Sequence, residues 1–383
     1  MEKLIEKYSQ KLIDAGLVEE NSFVFAGLDD EIIYRGEHKI KDLNMLFESI
    51  SINSLLFVEP KEPYRSILNF FTNRVDDKIE PSDCETRTFL HDLPVIKEYT
   101  HKAAAEKLKS RKCVIIDGIG VITYGTVSPE QCFITLSSVC FATFVKFFSD
   151  YLTMKKEGGV DEEMQKVFDF ARSYIHPYPE FDNDLSTDIF TDENSIYSAV
   201  SEAGRKTVEY GLVDSFFGNV SAFNNGNVYI SQTGSSLDEL DGYIDACPAD
   251  GSTCSGLTAS SELSAHMKIV TETEARTILH GHPLFSVILS MDCDKKNCEN
   301  IGQCFKVCHE KREIKGVPIV PGEVGAGPFG LCNTIPPVLK EKDGVIVYGH
   351  GVFTKGEKDF NKPFKILLAI ERMCMEEYFK LTL

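Results

Sequence analysis

The sequence has little positive charge for its length. Among 383 residues, 40 are Lys or Arg and 59 are Asp or Glu, so the formal net charge is −19. No basic arm or patch interrupts this acidic balance, and nucleic acids and anionic membranes attract proteins mainly through basic surfaces. We therefore predict neither a nucleic-acid partner nor a membrane partner.

The sequence also has no obvious secretory or membrane-spanning segment. The N-terminal stretch MEKLIEKYSQ lacks the apolar core of a signal peptide. The most apolar stretch, VCFATFVKFF at 139–148, is short for a bilayer span and contains Lys146. Twelve cysteines without a secretory signal indicate thiols or metal ligands rather than disulfides. These features predict a cytoplasmic protein.

Chain length and local composition predict two domains. A chain of 383 residues exceeds what one hydrophobic core usually supports. The charged stretch KKEGGVDEE and the proline-rich stretch HPYPEFDND interrupt the regular pattern between residues 153 and 190. We predict a first domain at 1–155, a linker at 156–190 and a second domain at 191–383.

Two pairs of segments indicate that the domains are copies of each other. IDGIGVITYG (116–125) and VYGHGVFTKG (347–356) share a Gly-x-Gly-Val core followed by a glycine and a long apolar helix. Upstream of them, LLFVEPKEPYRSILNFF (55–71) resembles ILHGHPLFSVILSM (278–291). The shared order predicts a tandem duplication of one α/β domain. The alternative is two unrelated α/β domains that share a strand–glycine–strand pattern.

Hydrophobic periodicity predicts the main elements around these segments. An Asn-Gly turn between two alternating apolar runs in FFGNVSAFNNGNVYISQTG predicts a β-hairpin. Apolar residues at helical spacing predict helices at 3–18, 95–110, 129–152, 195–213 and 261–273.

Three histidines of the second half lie in predicted strands or at their ends. His280 and His282 stand two residues apart in ILHGHPLF, so their side chains point to one face of a strand. His350 lies between two glycines in YGHGVF, where the backbone can approach closely. A lone buried histidine is usually a hydrogen-bonded core residue, but two on one apolar face need partners. Three imidazoles suit zinc or a similar divalent ion.

Glu262 and three donor-rich segments complete the candidate site. Glu262 begins a predicted helix behind Ser260 and Ser261, either of which could cap it. It is either an ordinary first-turn glutamate or, with the histidines, a metal ligand or general base. GNVS (218–221), QTGSS (232–236) and ASSE (259–262) are either plain turns or parts of an anion-binding site.

Taken together, these segments resemble the class II aldolase/adducin family. The family pattern runs Gly-Asn-x-Ser, Thr-Gly, Ser-Ser-Glu, His-x-His and Gly-His-Gly-Val, and all five motifs occur here in that order. The resemblance covers residues 195–383 well, whereas residues 1–155 resemble the family only weakly, as a degenerate copy. It implies a three-layer α/β/α fold of the class II aldolase type, present as a tandem duplication.

The resemblance also implies roles for individual residues. His280, His282 and His350 would bind a divalent metal, usually Zn2+, and Glu262 would be the catalytic base. A phosphate would be bound by the donor-rich segments, through Asn219, Thr233, Gly234, Ser260 and Ser261.

The implied function is that of a metal-dependent aldolase, a carbon–carbon lyase that acts on a small phosphorylated sugar through an enediolate. The alternatives are a sugar-phosphate epimerase or dehydratase on the same site, or a non-catalytic scaffold like adducin. Members of this family are typically homo-oligomers, and we expect the same here. A scaffold has no need of three histidines and a glutamate, so we favour an enzyme.

The first half departs from the family pattern at the metal-binding positions. Phe57, Glu59 and Ile119 align with the three histidines, which predicts a non-catalytic copy. Such a copy could replace one neighbour in an oligomeric ring, or supply an acid to the active site. The sequence does not choose among the candidates for that acid, which are Tyr64, Tyr124 and His91.

A cysteine-rich segment at 293–309 is the second departure. Its C-x4-C-x5-C-x3-C spacing matches no common zinc or iron–sulfur motif. It is either a second metal site or a helix with two cysteines packed as small apolar residues. The candidate ligands are Cys293, Cys298, Cys304 and Cys308, with His309 beside them.

The glycine- and proline-rich stretch VPIVPGEVGAGPFG (317–330) follows the cysteines. It is either an active-site loop, in which Glu323 would be functional, or a turn-rich connection between elements. The composition favours the connection.

Overall fold

The computed structural model describes residues 1–36, 40–214, 216–252, 258–295 and 297–383. These residues form two compact units, Met1–His176 and Pro177–Leu383. The segment expected to be a linker, 156–190, includes a helix of the first unit at Glu162–Arg172 and, from Pro177 onward, residues of the second unit.

The first unit contains a seven-stranded sheet in the order β2-β1-β3-β7-β6-β5-β4. Its strands are β1 (Phe23–Leu28), β2 (Ile32–Gly36), β3 (Ser54–Val58), β4 (Lys78–Ile79), β5 (Leu93–Ile96), β6 (Cys113–Ile116) and β7 (Gly120–Gly125). Its helices are α1 (Glu2–Asp14), α2 (Met45–Ser49), α3 (Tyr64–Thr72), α4 (Cys84–Leu90), α5 (His101–Leu108), α6 (Glu130–Glu157) and α7 (Glu162–Arg172).

The second unit contains an eight-stranded sheet in the order β10-β9-β8-β11-β15-β14-β13-β12. Its strands are β8 (Asn219–Asn224), β9 (Asn227–Ser231), β10 (Ile244–Pro248), β11 (Thr277–Gly281), β12 (Arg312–Ile314), β13 (Val317–Val320), β14 (Gly344–Val347) and β15 (Gly351–Gly356). Its helices are α8 (Glu193–Glu209), α9 (Leu263–Glu272), α10 (Leu284–Met291), α11 (Leu331–Leu339) and α12 (Asn361–Thr382).

The two sheets have the same topology. The order β2-β1-β3-β7-β6-β5-β4 corresponds, strand by strand, to β9-β8-β11-β15-β14-β13-β12, and β10 is an additional edge strand. In both sheets every neighbouring pair is antiparallel except one, β5–β6 in the first and β13–β14 in the second. The predicted three-layer α/β/α fold, present twice in tandem, is confirmed.

A side-chain hydrogen bond near the start of the last long helix of each repeat is also duplicated. Thr123 in β7 donates through Oγ1 to the carbonyl of Cys132 in α6, at 3.1 Å. Thr354 in β15 donates through Oγ1 to the carbonyl of Pro363 in α12, at 3.0 Å. Both threonines are fully buried, so this bond satisfies a hydroxyl that would otherwise be costly to bury. The repeat therefore extends from topology to individual contacts.

The core of the second unit explains why its strands are stable beside the candidate site. On one face of the sheet, Ile269 of α9 and Ile335 of α11 pack against Val345 of β14 and Phe353 of β15. All four side chains are fully buried, and each such burial contributes roughly 1.5–3 kcal/mol. Helix α12 contacts β11, β14 and β15 and packs with α10.

The Asn-Gly hairpin predicted from the sequence is confirmed. Strands β8 and β9 pair antiparallel, with Asn224 opposite Asn227. Asn225 and Gly226 between them have φ angles of 48° and 81°. A type I′ turn requires positive φ at both central residues, and Asn and Gly tolerate it best. The turn sets the register that directs Asn219 and Ser221 to one face of the sheet.

The predicted helix at 95–110 is wrong in its first turn. Residues Leu93–Ile96 form β5, a buried strand, and α5 begins only at His101. Thr100 is the N-cap, and its side chain accepts a hydrogen bond from the amide of Ala103 at 3.1 Å. Val95 and Ile96 are β-branched and fit a pleated sheet better than a helix.

Among the described residues, α6 is long and apolar enough, by length and composition, to span a membrane. The expectation that no stretch would reach this length was therefore wrong, because Lys146 is an isolated charge within a mostly apolar helix. However, 83% of its most apolar window is buried within the protein. A core helix passes the same test as a membrane span, and this burial is what a core helix requires.

Candidate metal centre

Three strand ends bring the histidines of the second unit together. His280 lies in β11, and His282 follows the last residue of that strand. His350 lies in the turn between β14 and β15. Because β11 pairs antiparallel with β15, the end of β11 lies beside the start of β15. His280 is opposite Phe353, and its ring stacks on that phenyl ring at a centroid distance of 3.8 Å.

The Nε2 atoms of the three rings converge. His280 Nε2 lies 2.8 Å from His282 Nε2 and 3.1 Å from His350 Nε2. One ring nitrogen from each residue falls within 4.8 Å of the others, and the three side chains are 1–3% exposed. In tetrahedral zinc sites Zn–N bonds are about 2.0–2.1 Å, which separates ligand nitrogens by roughly 3.4 Å. The separations observed here are close to that arrangement.

The protonation of the rings also fits a divalent metal. His280 Nδ1 donates to the carbonyl of Val352 at 3.0 Å, which leaves a lone pair on Nε2 when the ring is neutral. Burial lowers the pKa of His280 to about 4, and that of His282 well below its usual value. Neutral imidazoles are the form that binds metals. The residues present therefore fit a divalent metal such as Zn2+.

Gly351 is required for the close approach of these rings. A Cβ at this position would lie 2.3 Å from the carbonyl oxygen of Gly281, 2.9 Å from His280 Cε1 and 3.0 Å from His282 Cδ2. The first contact is with backbone and cannot be relieved by a side-chain rotation. The glycine that flanks His350 in sequence therefore makes room for the other two histidines.

Replacing Gly351 with Ala is expected to lower metal affinity by about 10–100-fold or more, the range seen when groups that orient metal ligands are altered. The added methyl would displace both His280 and His282 from their positions. Competition with a zinc chelator measures the affinity. Gly327→Ala is the matched control, because a Cβ there meets no atom within 4 Å. Equal affinities in the two variants would contradict this role for Gly351.

Glu262 places a carboxylate against the imidazoles. Its Oε1 lies 3.0 Å from His350 Nε2 and its Oε2 lies 3.4 Å from His280 Nε2. Glu262 is itself the N-cap of α9, and its side chain makes no capping bond. Its amide donates to Ser260 Oγ at 3.3 Å. The side chain is only 4% exposed and points into the site instead of capping the helix.

The environment of Glu262 favours the carboxylate. Burial opposes ionisation, whereas His280, His350 and the amide of Asn219 favour the charged form. The net effect lowers the pKa of Glu262. At neutral pH the site therefore holds one carboxylate beside the imidazoles of His280 and His282, which burial keeps uncharged, so a cation would be attracted to it.

The Thr-Gly and Ser-Ser-Glu segments are neighbours. The backbone amide of Thr233 donates to the carbonyl of Thr258 at 2.8 Å, and the backbone amide of Ser260 donates to the carbonyl of Ser231 at 3.1 Å. Gly234 has a φ of 69°, in the left-handed region that favours glycine. These bonds bring the predicted phosphate-binding residues of the two segments together. Thr233, Gly234 and Ser261 are exposed, whereas Ser260 is buried; their role stays a prediction.

Asn219, predicted to bind phosphate, is hydrogen-bonded to the carboxylate of Glu262. Its Nδ2 donates to Glu262 Oε2 at 2.7 Å, and its Oδ1 is bonded to His266 Nε2. In the sheet it is opposite His280. One amide hydrogen remains for a phosphate, so its phosphate-binding role also stays a prediction.

The sequence of the second unit matches a known family. Residues 198–378 match the family model of the class II aldolase and adducin N-terminal domain. The second unit belongs to this family. The family motifs and the site coincide, since the Ser-Ser-Glu, His-x-His and Gly-His-Gly-Val segments supply Glu262 and the three histidines.

Solved structures similar to the class II aldolase domain are distant in sequence. L-fuculose-1-phosphate aldolase from Thermus thermophilus is 21% identical, with a TM-score of 0.39, over 48% of this chain and 94% of that chain. YgbL from Escherichia coli, described as a candidate aldolase/epimerase/decarboxylase, is 19% identical, with a TM-score of 0.39, over 48% and 89%. L-fuculose 1-phosphate aldolase from Glaciozyma antarctica is 14% identical, with a TM-score of 0.37, over 52% and 77%. A search of curated protein sequences finds no match.

Two residues of the class II aldolase domain were missed by the sequence reasoning. His266 and Ser221 are buried and hydrogen-bonded to each other, at 2.6 Å between Oγ and Nδ1. His266 stands four residues after Glu262, on the same face of α9. Ser221 stands two residues after Asn219, on the same face of β8. These two spacings were the signal that could have found them.

The cysteine-rich segment does not gather its candidate ligands. Among the described residues, the three histidines form the one group of three or more potential ligands close enough to share a metal. Cys304 Sγ contacts the carbonyl of Asn300 at 3.5 Å, and Cys308 Sγ contacts the carbonyl of Glu310 at 3.6 Å. The alternative expectation of a helix is wrong, because the described residues of this segment form turns. A second metal site therefore stays a prediction without structural support.

Glu323 is held by contacts at the far end of β13. Its side chain forms an ion pair with Lys306 at 3.0 Å, and its backbone bridges to Gly330. Val317–Val320, at the start of this stretch, forms β13. The expected turn-rich connection is therefore preceded by a strand. Glu323 does not belong to the group of potential metal ligands that the three histidines form.

Strand register identifies the counterpart of His280 in the first unit. Phe57 lies opposite Ile122 in the β3–β7 pair, as His280 lies opposite Phe353 in the β11–β15 pair. In both cases the facing residue is two positions after the glycine that begins the strand. Phe57 thus occupies the position of a metal-binding histidine.

The other two histidine positions of the first unit are occupied by Glu59 and Ile119. Glu59 follows Phe57 by two residues, as His282 follows His280, and Ile119 precedes the first glycine of β7, as His350 precedes that of β15. A cavity of about 130 Å³ borders both side chains. None of these three side chains is an imidazole, and this set does not form a group of potential metal ligands.

A buried carboxylate holds the start of α10, directly after His282. Glu371 of α12 is fully buried and accepts hydrogen bonds from the amides of Phe285 and Ser286, each at 2.8 Å. The hydroxyls of Ser286 and Tyr178 also donate to it, at 2.6 and 3.1 Å. Burial raises the pKa of Glu371 to about 7, although these bonds favour the carboxylate.

Glu371 is expected to make the stability of the class II aldolase domain fall as pH rises from about 4.5 to 7. Over this range the folded state retains a proton that the unfolded chain has lost, so unfolding releases a proton. Relative to that of Glu371→Gln, the free energy of unfolding of wild type should fall by about 3 kcal/mol between pH 4.5 and pH 8. Urea unfolding of both proteins at several pH values measures this difference. A constant difference would show that folding does not raise the pKa of Glu371.

Proposed function

We propose that the class II aldolase domain is a metal-dependent carbon–carbon lyase that acts on a small phosphorylated sugar. One observation carries the proposal, namely the convergence of three buried imidazole nitrogens with one carboxylate. Three protein nitrogens leave a fourth position open, as catalytic zinc sites do. Family membership supports a lyase-type enzyme.

The proposed chemistry divides between the metal and the protein. A divalent metal held by His280, His282 and His350 would supply Lewis-acid stabilisation of the negative charge that develops when a bond beside a carbonyl breaks. Glu262 moves the proton at the reacting carbon. The exposed donors at Thr233, Gly234 and Ser261 hold the phosphate away from the reacting centre.

The proposal is tested by metal analysis followed by a retro-aldol assay. The full chain, purified without chelators, is expected to contain about one divalent metal per chain, as one such site predicts. A panel of ketose 1-phosphates is then assayed for release of aldehyde. The variant His280→Ala should lack both metal and activity. An epimerase would convert a substrate of this panel into an isomer without net cleavage, and a scaffold would do neither.

Absence of bound divalent metal from the wild-type protein would contradict the mechanism. Metal bound equally by wild type and His280→Ala would place the metal elsewhere, for example on the cysteine-rich segment. The panel also identifies the sugar by which of its ketose phosphates is cleaved, since stereoisomers at the cleaved bond release the same aldehyde.

We also propose that the protein acts as a homo-oligomer in the cytoplasm. The acidic composition and the family resemblance support this proposal. Light scattering of the purified full chain measures its mass in solution against the 42.9 kDa of one chain.

A further inference from the structure

Four buried polar side chains, the last of which is Glu262, form a continuous chain of hydrogen bonds. Ser221 Oγ contacts His266 Nδ1 at 2.6 Å, and His266 Nε2 contacts Asn219 Oδ1. Asn219 Nδ2 then donates to Glu262 Oε2 at 2.7 Å. The exposed fractions of these side chains run from 0% at His266 to 4% at Asn219 and Glu262. Solvent therefore does not substitute for a lost bond in this chain.

The carboxylate at one end determines the direction of every bond in this chain. An ionised Glu262 only accepts, so the amide nitrogen of Asn219 must face it and the amide oxygen must face His266. That oxygen also only accepts, so Nε2 of His266 must carry the ring proton. Nδ1 is then an acceptor, and the hydroxyl of Ser221 donates to it. Burial lowers the pKa of His266 to about 3, which agrees with a neutral ring.

We propose that His266 is a positioning residue that acts through Asn219 to hold Glu262 Oε2 in place. This inference rests on the function proposed above, in which Glu262 moves a proton. With Oε2 held by Asn219, Oε1 is the oxygen that exchanges the proton with the reacting carbon. Oε1 is not the oxygen that Asn219 contacts, and it lies 3.0 Å from His350 Nε2, on the side of the carboxylate that faces the histidines.

The first test reads the ring proton of His266 directly and does not depend on activity. In the full chain labelled with ¹⁵N in its histidine rings, NMR distinguishes the two neutral tautomers. We expect the Nε2–H form for His266 and the opposite Nδ1–H form for His280, which donates to Val352. Loss of a signal in His266→Gln assigns the ring. An Nδ1–H or charged His266 would overturn the proposal.

The second test uses two matched replacements of His266. Gln places an amide nitrogen near the position of Nε2 and can still donate to Asn219, whereas Asn is shorter and reaches only near the position of Nδ1. The probe is dihydroxyacetone phosphate in D2O, the ketone fragment that cleavage of a ketose 1-phosphate would release. Glu262 removes a proton from the hydroxymethyl carbon, and a solvent deuteron returns to that carbon.

We expect His266→Asn to lower kcat for this exchange by about 10–100-fold with KM unchanged, the cost usual for a residue that orients a metal-site group. His266→Gln should stay within about threefold of wild type, and all three proteins should bind equal amounts of metal. Ser221→Ala should lower kcat for the exchange by a smaller factor than His266→Asn does. Equal rates in the Gln and Asn variants would overturn the positioning role.

The two tests separate this inference from the proposed function. If wild type shows no exchange, the lyase proposal fails for this ketone, and the tautomer of His266 alone decides the inference. If wild type exchanges but the tautomer is Nδ1–H, the lyase proposal survives and the positioning role of His266 does not.

Discussion

Replacing Glu262 with Gln is expected to lower the rate of retro-aldol cleavage by about 10²–10⁴-fold, the usual contribution of a positioned acid–base group. Gln matches Glu in size, so packing at this buried position is preserved, but its amide cannot take up a proton at neutral pH. Metal content should be unchanged, because the three histidines remain. The measurement compares kcat, KM and bound metal in the two proteins.

Glu272→Gln is the matched control for Glu262→Gln. It makes the same chemical change at the other end of α9, where the side chain pairs with Lys340 at 2.8 Å. Its activity should equal that of wild type. Cleavage at the full rate in Glu262→Gln would remove Glu262 from its role in proton transfer, and loss of metal in that variant would make it a ligand instead.

The predictions that succeeded rest on local periodicity. His280 and His282 could be assigned to one face because strand residues two apart share a face, and the structure has them 2.8 Å apart at Nε2. The Asn225–Gly226 turn could be assigned because only a few residues tolerate positive φ at two successive positions. Both signals lie within a few residues of chain and need no tertiary information.

The predictions that failed concern choices that tertiary contacts make. Val95 and Ile96 continue the helical spacing of the apolar residues that follow them, but they are β-branched, and their parallel pairing with β6 places them in a strand. By residue type, either Ser260 or Ser261 fits the N-cap of α9. In the structure Glu262 occupies the N-cap position, and its side chain makes no capping bond because it points to His350 and His280.

The bonding partner of Asn219 was not predictable from local sequence. Asn219 and His266 are 47 residues apart in sequence, and their hydrogen bond joins β8 to α9. A donor-rich Gly-Asn-x-Ser segment suggests a phosphate site. Nothing in these four residues indicates that the side-chain nitrogen of Asn219 bonds to Glu262 and its oxygen to His266.

Replacing His350 with Ile is expected to abolish metal binding at stoichiometric concentration. Ile is the residue that the first unit carries at the equivalent position, Ile119, so the backbone of this turn accepts it. The change removes one of three convergent nitrogens. Loss of a direct ligand should cost more than the roughly 10–100-fold seen for residues that only orient ligands. Competition with a zinc chelator measures the affinity.

His309→Ala is the control that separates this result from metal bound elsewhere. His309 is exposed and belongs to the cysteine-rich segment, so its loss should leave the affinity of the histidine site unchanged. If His350→Ile retains metal while His309→Ala loses it, the metal belongs to the cysteine-rich segment, and the three histidines are a buried core cluster. The expected opposite pattern makes the second unit the metal-binding copy, because the counterparts of its histidines in the first unit are Phe57, Glu59 and Ile119.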